Sequence, residues 1–279
     1  MTPPLIVDLH RVCLRTGGVV PAENGPTVVL VHGAGMDGTV WSQQTRYLSM
    51  RGVRAFAVDL PGHGQSEGPA ISTIAGMADW LVRVIDTLGD SRVMIAGHSM
   101  GTFIALEVAT RFPKLVSSVA LFGTATAMPV HPDLIDAAEH DIARAASLMT
   151  GWSHAPGSRL GHNPTPGLWM TGGMKALVEQ SKPGVLLNDL VACNNYSEAM
   201  ARAASLTCPA LVAVAAHDKM TPAKSGRAMA NAMVRSAGVE VLEMPNAGHM
   251  SLTEEPRTVR EALLEAAQST PQEVVERSD

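Results

Sequence analysis

Apolar residues in this chain fall into two alternating patterns. Thr27-Val-Val-Leu-Val31, Val93 to Ala96, Val116 to Phe122 and Pro209 to Ala216 are runs with almost no polar interruption. That is the form of strands covered on both faces, as in a parallel sheet. Val53 to Leu60 and Val239 to Met244 read as two further strands. Between the runs the spacing becomes helical. Ile74, Met77, Leu81, Val84, Ile85 and Leu88 share one face of a helix that Gly89 stops. Helices are also predicted from about Thr39 to Met50, with Trp41, Tyr47 and Leu48 on one face, and from Thr102 to just before Pro113. Two more run from about Pro222 to Arg235 and from Glu254 to Ala267. Residues 5 to 15 alternate loosely and lead into Gly17-Gly18, the pattern of an antiparallel edge strand and its turn.

The alternation lapses between about Thr124 and Leu206. That stretch holds helical patterns at Pro132 to Met149, Gly173 to Gln180, Val185 to Asn194 and Ser197 to Ala204, and a proline- and glycine-rich loop from Gly151 to Gly167. The expected fold class is therefore α/β: a doubly wound, mostly parallel sheet with a helical cap inserted after the sixth strand. Residues 1–124 and 207–279 would form the core, and residues 125–206 the cap. The tail from Ser269, with Glu273, Glu276 and Asp279, is expected to fray.

Composition narrows the function classes. Hydrophobic residues are 46% and charged residues 17%, as in a globular protein rich in core. A formal net charge of −5 supplies no basic surface for nucleic acid. Cys13, Cys193 and Cys208 have neither zinc spacing nor the layout of a disulfide framework, so a reducing, cytoplasmic setting is expected. The first residues lack the charged and apolar regions of a signal peptide. No apolar run approaches the roughly 20 residues that span a bilayer, so no membrane partner is expected. His131, His140, His154 and His162 lack a tight ligand spacing, and no metal or cofactor is expected. A homodimer is left open.

The candidate chemistry centres on Gly97-His98-Ser99-Met100-Gly101, which lies between a predicted strand and a predicted helix. In that context Gly-x-Ser-x-Gly forms a nucleophile elbow: two residues without β-carbons let strand and helix close around a strained, exposed serine. A serine hydroxyl needs a base to take its proton, and the base needs an acid to orient it. In open α/β sheets such groups gather at the carboxyl ends of strands. Asp218 follows the run ending at Ala216, and His249 follows the strand ending at Met244. The strand ending at Phe122 exits through Gly123-Thr-Ala-Thr126 and offers no carboxylate. The order Ser99, Asp218, His249 is that expected of an elbow on an α/β sheet. Asp59 also follows a strand, but far from Ser99 in the sheet order, and reads as a loop brace before it reads as an acid.

His32-Gly-Ala-Gly35, Asp59-Leu-Pro-Gly-His-Gly-Gln-Ser66, Gly97-His-Ser-Met-Gly101, His217-Asp218 and Gly248-His249 together resemble the α/β-hydrolase superfamily, in its serine-hydrolase and esterase branch. The likeness runs through both core segments, roughly 25–125 and 207–268. The cap matches only in being helical. Thr102 departs from the pattern, since relatives often carry a second glycine there. The resemblance implies Ser99 as nucleophile, His249 as general base and then acid, and Asp218 as the orienting carboxylate. It also implies an oxyanion hole of the Ala34 and Met100 backbone N–H groups, with Gly33 and Gly35 admitting substrate.

The expected substrate is a small or medium carboxylic ester, lactone or thioester, taken through an acyl-enzyme. Two alternatives stay open: hydrolysis of a carbon–carbon bond in aromatic ring-fission products, and a ligand receptor on the same fold with slow hydrolysis. Trp152, Trp169, Met170 and Met250 are further pocket candidates, and a methionine-rich roof favours a flexible apolar group. Arg144, Arg159, Lys175 and Lys182 form no clear carboxylate clamp. His98, His32, His63 and His217 read as structural.

Overall fold

The structure, a computed structural model, describes residues 5–20, 24–90, 92–159 (of Arg159 the backbone alone) and 167–269. His162 and the tail with Glu273, Glu276 and Asp279 lie outside the described residues. The strands are Leu5–Val7 (β1), His10–Val12 (β2), Leu14–Arg15 (β3), Thr27–Val31 (β4), Arg54–Val58 (β5), Val93–His98 (β6), Val116–Phe122 (β7), Ala210–Ala215 (β8) and Val239–Met244 (β9). β1 and β2 form a separate hairpin, and the other seven build one sheet in the order β3-β5-β4-β6-β7-β8-β9. All its pairings are parallel except β3 with β5. β4, β6 and β8 are buried along their whole length, as their apolar runs require. β9 is the edge strand and is largely exposed.

The helices are Ser42–Ser49 (α1), Ile74–Leu88 (α2), Met100–Arg111 (α3), Pro132–His140 (α4), Ile142–Ser153 (α5), Pro156–Arg159 (α6), Met170–Glu179 (α7), Val185–Asn195 (α8), Ala199–Ser205 (α9), Ala223–Ala232 (α10), Ser251–Glu254 (α11) and Pro256–Gln268 (α12). α2 matches its predicted span for local reasons. The Thr73 hydroxyl caps its first turn by accepting from Gly76 N–H, and Gly89 closes it in the left-handed region with φ 73°.

The departures from expectation also have physical causes. The amino-terminal segment turns at Asp8 and Leu9, both with positive φ, so only two residues of it join the large sheet. The helical insertion follows β7, the fifth strand of that sheet in chain order, rather than the sixth. The helix expected over Pro132–Met149 is two helices, because the Asp141 backbone leaves helical geometry (φ −151°) while its side chain caps α5 by accepting from Arg144 N–H. Gly151 continues α5 instead of opening a loop. The start of the 39–50 helix is a tight turn, Gly38–Trp41, and the buried face of α1 is Gln44, Thr45, Leu48 and Ser49. Tyr47 lies partly exposed between the guanidinium groups of Arg51 and Arg260.

Trp41 is fully buried and meets Phe122 of β7 edge-on, with ring centroids 5.9 Å apart. It anchors the loop after β4 to the sheet. Trp41→Ala is expected to lower stability by about 3–5 kcal/mol through lost burial and an unfilled cavity. Urea denaturation reads this directly, and a loss below about 1 kcal/mol contradicts the packing described.

Candidate functional site

β6 ends and α3 begins around Ser99, whose backbone sits at φ 53° and ψ −120°, a costly region for a residue with a side chain. Two glycines make the turn possible. A β-carbon on Gly97 would lie 2.2 Å from the Gly101 carbonyl oxygen, and one on Gly101 would lie 2.5 Å from that of Val31. Ser99 N–H donates to the Phe122 carbonyl at 2.9 Å, which ties the turn to β7. Thr102, the departure noted above, is buried and donates its hydroxyl to the Ser99 carbonyl at 2.7 Å. It braces the turn where a smaller residue would leave a gap.

After β8 the chain folds over the carboxylate of Asp218. Oδ1 accepts from the backbone N–H groups of Met220 and Thr221, each at 2.8 Å, and Oδ2 accepts from the Thr221 hydroxyl at 2.6 Å. His249 Nδ1 is 2.9 Å from Asp218 Oδ2 and 3.0 Å from Thr221 Oγ1. A carboxylate only accepts, and the threonine hydrogen is already committed, so the proton must sit on Nδ1. Nε2 is left as the free lone pair. It is buried and makes no hydrogen bond among the described residues. Burial raises the proton affinity of Asp218, but the charge and hydrogen bond of His249 and the bonds from Thr221 outweigh it and hold the carboxyl below its ordinary value. Nothing in the sequence marked Thr221, because its part depends on how the loop folds back.

The His249 loop is itself held. Glu254, buried on α11, accepts from Gly248 N–H at 2.8 Å and from Ala155 N–H of the insertion at 2.7 Å. Met250 N–H donates to the Ser153 carbonyl at 3.0 Å. His98 lies beneath, its Nε2–H donating to the His249 carbonyl at 2.9 Å. Burial and the neighbouring His249 depress its pKa to about 3, so it stays neutral. His217 is exposed and enters through its backbone, donating N–H to the Ala247 carbonyl at 3.0 Å. Asp59 is fully buried away from Ser99, gripped by Arg15 and by the N–H groups of Gly38 and Gln65.

Ser99 and His249 line one cavity of about 370 Å³ together with Ala34, Met36, Trp152 and Thr221. The N–H of Met100 opens α3 and has no intrahelical partner. That of Ala34 makes no hydrogen bond among the described residues. Gly33 packs against the turn, where a β-carbon would lie 3.1 Å from Ser99 Cβ. The other pocket candidates lie elsewhere. Gly35 faces a polar surface groove, and Trp169, Met170 and Met250 line a neighbouring cavity of about 280 Å³. Met174 faces both cavities. Trp169 immediately precedes α7, is 76% exposed and does not line the Ser99 cavity. Among the described residues no group of three His, Cys, Asp or Glu side chains is arranged to hold a metal, and no helix is long and apolar enough to cross a membrane.

The site thus combines a buried imidazole, with its proton on Nδ1 and no hydrogen bond at Nε2, and a half-buried serine hydroxyl and unpaired amides around one cavity. Comparison with known proteins gives the family. The model of the alpha/beta hydrolase family matches residues 28–262, and the chain belongs to that family. It is 27% identical over 268 residues to (E)-2-((N-methylformamido)methylene)succinate hydrolase of Acinetobacter baylyi, covering 92% of this chain and 96% of that protein. The enol-lactonase of Burkholderia xenovorans superposes with a TM-score of 0.84 at 22% identity, over 96% of this chain and all of that one (100%). A thermophilic esterase of Thermogutta terrifontis gives 0.78 at 23% identity over 93% of each chain. At that identity the two structures speak for the fold.

The environment of Asp218 sets a pH dependence. With its folded-state pKa depressed below about 3.9, its stabilising contribution is complete above about pH 4 and is lost as the pH falls through the folded-state value. Urea titrations between about pH 6 and pH 2.5 should show the stability gap between wild type and Asp218→Asn shrinking on the acid side. A gap that stays constant contradicts the assignment.

Proposed function

We propose that the protein is a serine hydrolase that cleaves an uncharged carboxylic ester, lactone or thioester through an acyl-enzyme. The observation that carries this reading is a serine at a left-handed elbow sharing one cavity with an imidazole whose Nδ1 is held by a buried carboxylate. In the proposed mechanism His249 Nε2 takes the Ser99 proton as Oγ attacks the substrate carbonyl. Asp218, steadied by Thr221, keeps the imidazole in the productive tautomer and stabilises the imidazolium. The N–H groups of Ala34 and Met100 receive the oxyanion, each such donor being worth about 2.7–4 kcal/mol of barrier. His249 then protonates the leaving alcohol, and water repeats the sequence on the acyl-enzyme. No step calls on a cofactor or metal.

The cavity wall supports an uncharged, flexible substrate. Met36, Met128, Met149, Met174 and Met220 line it with Leu134, Leu190 and Trp152, and among the described lysines and arginines Lys219 alone reaches it, with its side chain largely exposed. Methionine adapts its shape and suits varied apolar groups. The carbon–carbon reading calls for a carboxylate clamp, and among the described lysines and arginines only the single Lys219 lines this cavity. Arg144 pairs with Asp136, Lys175 with Glu179, and Lys182 reaches the Ser66 carbonyl, all away from this wall.

Ser99→Ala is expected to cut turnover of p-nitrophenyl butyrate by about 10⁴-fold or more and to abolish labelling by a fluorophosphonate. Turnover that persists in this variant rejects the reading. Across a panel of acyl groups, neutral butyryl and hexanoyl esters should exceed a hemisuccinyl ester by about 10-fold or more in kcat/KM, because the mostly apolar wall offers a carboxylate only the exposed Lys219 among the described lysines and arginines. Equal rates reject the neutral-substrate class. Hydrolysis far below about 1 s⁻¹ on every ester, with tight ligand binding, points to the receptor alternative instead.

A further inference from the structure

Asp189, on α8, is fully buried and has no part in the chemistry above. Its Oδ2 accepts from the backbone N–H of Gly35 at 2.9 Å and lies 2.8 Å from His63 Nε2. Its Oδ1 accepts from the Asn188 side-chain amide at 3.2 Å. The other ring nitrogen of His63, Nδ1, lies 3.0 Å from the Pro61 carbonyl oxygen. A carbonyl and a carboxylate both only accept, so both nitrogens of His63 must carry hydrogen. That is the imidazolium.

His32, with its ring centroid 4.9 Å from that of His63, is the opposite case. Its Nδ1–H donates to the Gly33 carbonyl at 2.9 Å and its Nε2 accepts from Leu60 N–H at 3.2 Å, which is the pattern of a neutral ring. Burial and the nearby His63 push its pKa down to about 4. For His63, burial works against the proton, but the charge and hydrogen bond of Asp189, the Pro61 carbonyl and Asp59 outweigh it, and the pKa rises. The positive charge is therefore localised beside Asp189.

Gly35 directly follows Ala34, one of the two amide donors proposed for the oxyanion. It has φ 66°, and Leu186 of α8 occupies the space a β-carbon would need, 2.6 Å away. The inserted helix thus holds the loop after β4 by a steric contact and by a hydrogen bond to a buried charge. We propose that Asp189 and the imidazolium of His63 are positioning residues for the oxyanion hole: their buried ion pair, with one partner on α8, fixes the peptide of Gly35 and so aims the Ala34 N–H into the cavity. The inference rests on the serine-hydrolase reading and adds that the hole is complete only with α8 seated.

The test uses the full chain and Asp189→Asn, which keeps the volume and removes the charge. The expected result is a kcat on p-nitrophenyl butyrate about 10- to 100-fold lower with KM within about 3-fold, the range for a donor displaced but not deleted. The Ki of an alkyl trifluoromethyl ketone, which forms an oxyanion on Ser99, should rise by the factor lost in kcat/KM. The Ki of the matching secondary alcohol, which forms none, should not move. A purely structural role would weaken both inhibitors together, and that result overturns the proposal, as does an unchanged kcat. If Asp189→Asn does not fold, His63→Gln tests the same contrast. Two-bond ¹H–¹⁵N spectra of the wild type decide the ion pair in either case. Both ring nitrogens of His63 should be protonated near neutral pH, and a neutral ring sinks the inference. A wild type that neither hydrolyses the ester nor binds the ketone rejects the hydrolase reading itself. An active wild type matched by Asp189→Asn rejects this inference alone.

Discussion

Two hydrogen atoms stand where other residues would carry a β-carbon, and the geometry at Ser99 depends on them. With side chains at Gly97 and Gly101, β6 and α3 would have to separate, and the backbone between them would relax. The left-handed turn costs about 1–3 kcal/mol and persists only because its surroundings over-determine it. β6 is bonded to β4 on one side and β7 on the other, and α3 is buried from Met100 to Ala109. A doubly paired strand and a buried helix thus converge on a single side chain. A hydroxyl held this way loses little orientational freedom when it reacts, which is the part of a barrier that pre-organisation removes.

The helical insertion is more than a cover laid over that hydroxyl. At one flank its backbone at Ser153 and Ala155 bonds to the His249 loop, directly and through Glu254. At the other flank Asp189 bonds to the loop after β4. The contacts are polar and buried, so each is costly to break without replacement. Simple lifting of the insertion would expose unpaired amides on both loops.

The legibility of the chain follows the same division. Strands β4, β6, β7 and β8 were readable because burial on both faces forces a continuous apolar run, and α2 because its caps lie within its own sequence. That Ser99, Asp218 and His249 each lie just past the end of a strand was readable because the order of elements predicts where strands end. The insertion was read less well: one aspartate, Asp141, divides a helix that its apolar spacing would continue. Thr221 and Asp189 left no local signal. Asp189 meets a glycine 154 positions away, and no pattern within a helix records such a partner. Trp169 and Met170 resembled roof residues by type, yet α7 turns them toward a neighbouring cavity. Helical periodicity assigns a face, and only tertiary packing decides which space that face borders.

The wall of the Ser99 cavity and the charges beneath it also act on one another. Methionine, leucine and tryptophan side chains keep the local dielectric low, so the attraction between Asp218 and a protonated His249 is stronger than it would be in water. The same dryness penalises any charge a substrate brings without its own partner. On the proposed reading, one set of apolar side chains therefore does two things: it favours the imidazolium that forms during reaction and it selects against anionic acyl groups. Asp189 and His63 solve the matching problem on the other side of Ala34. A charged brace there must be buried to be rigid, and it can be buried only as a hydrogen-bonded pair.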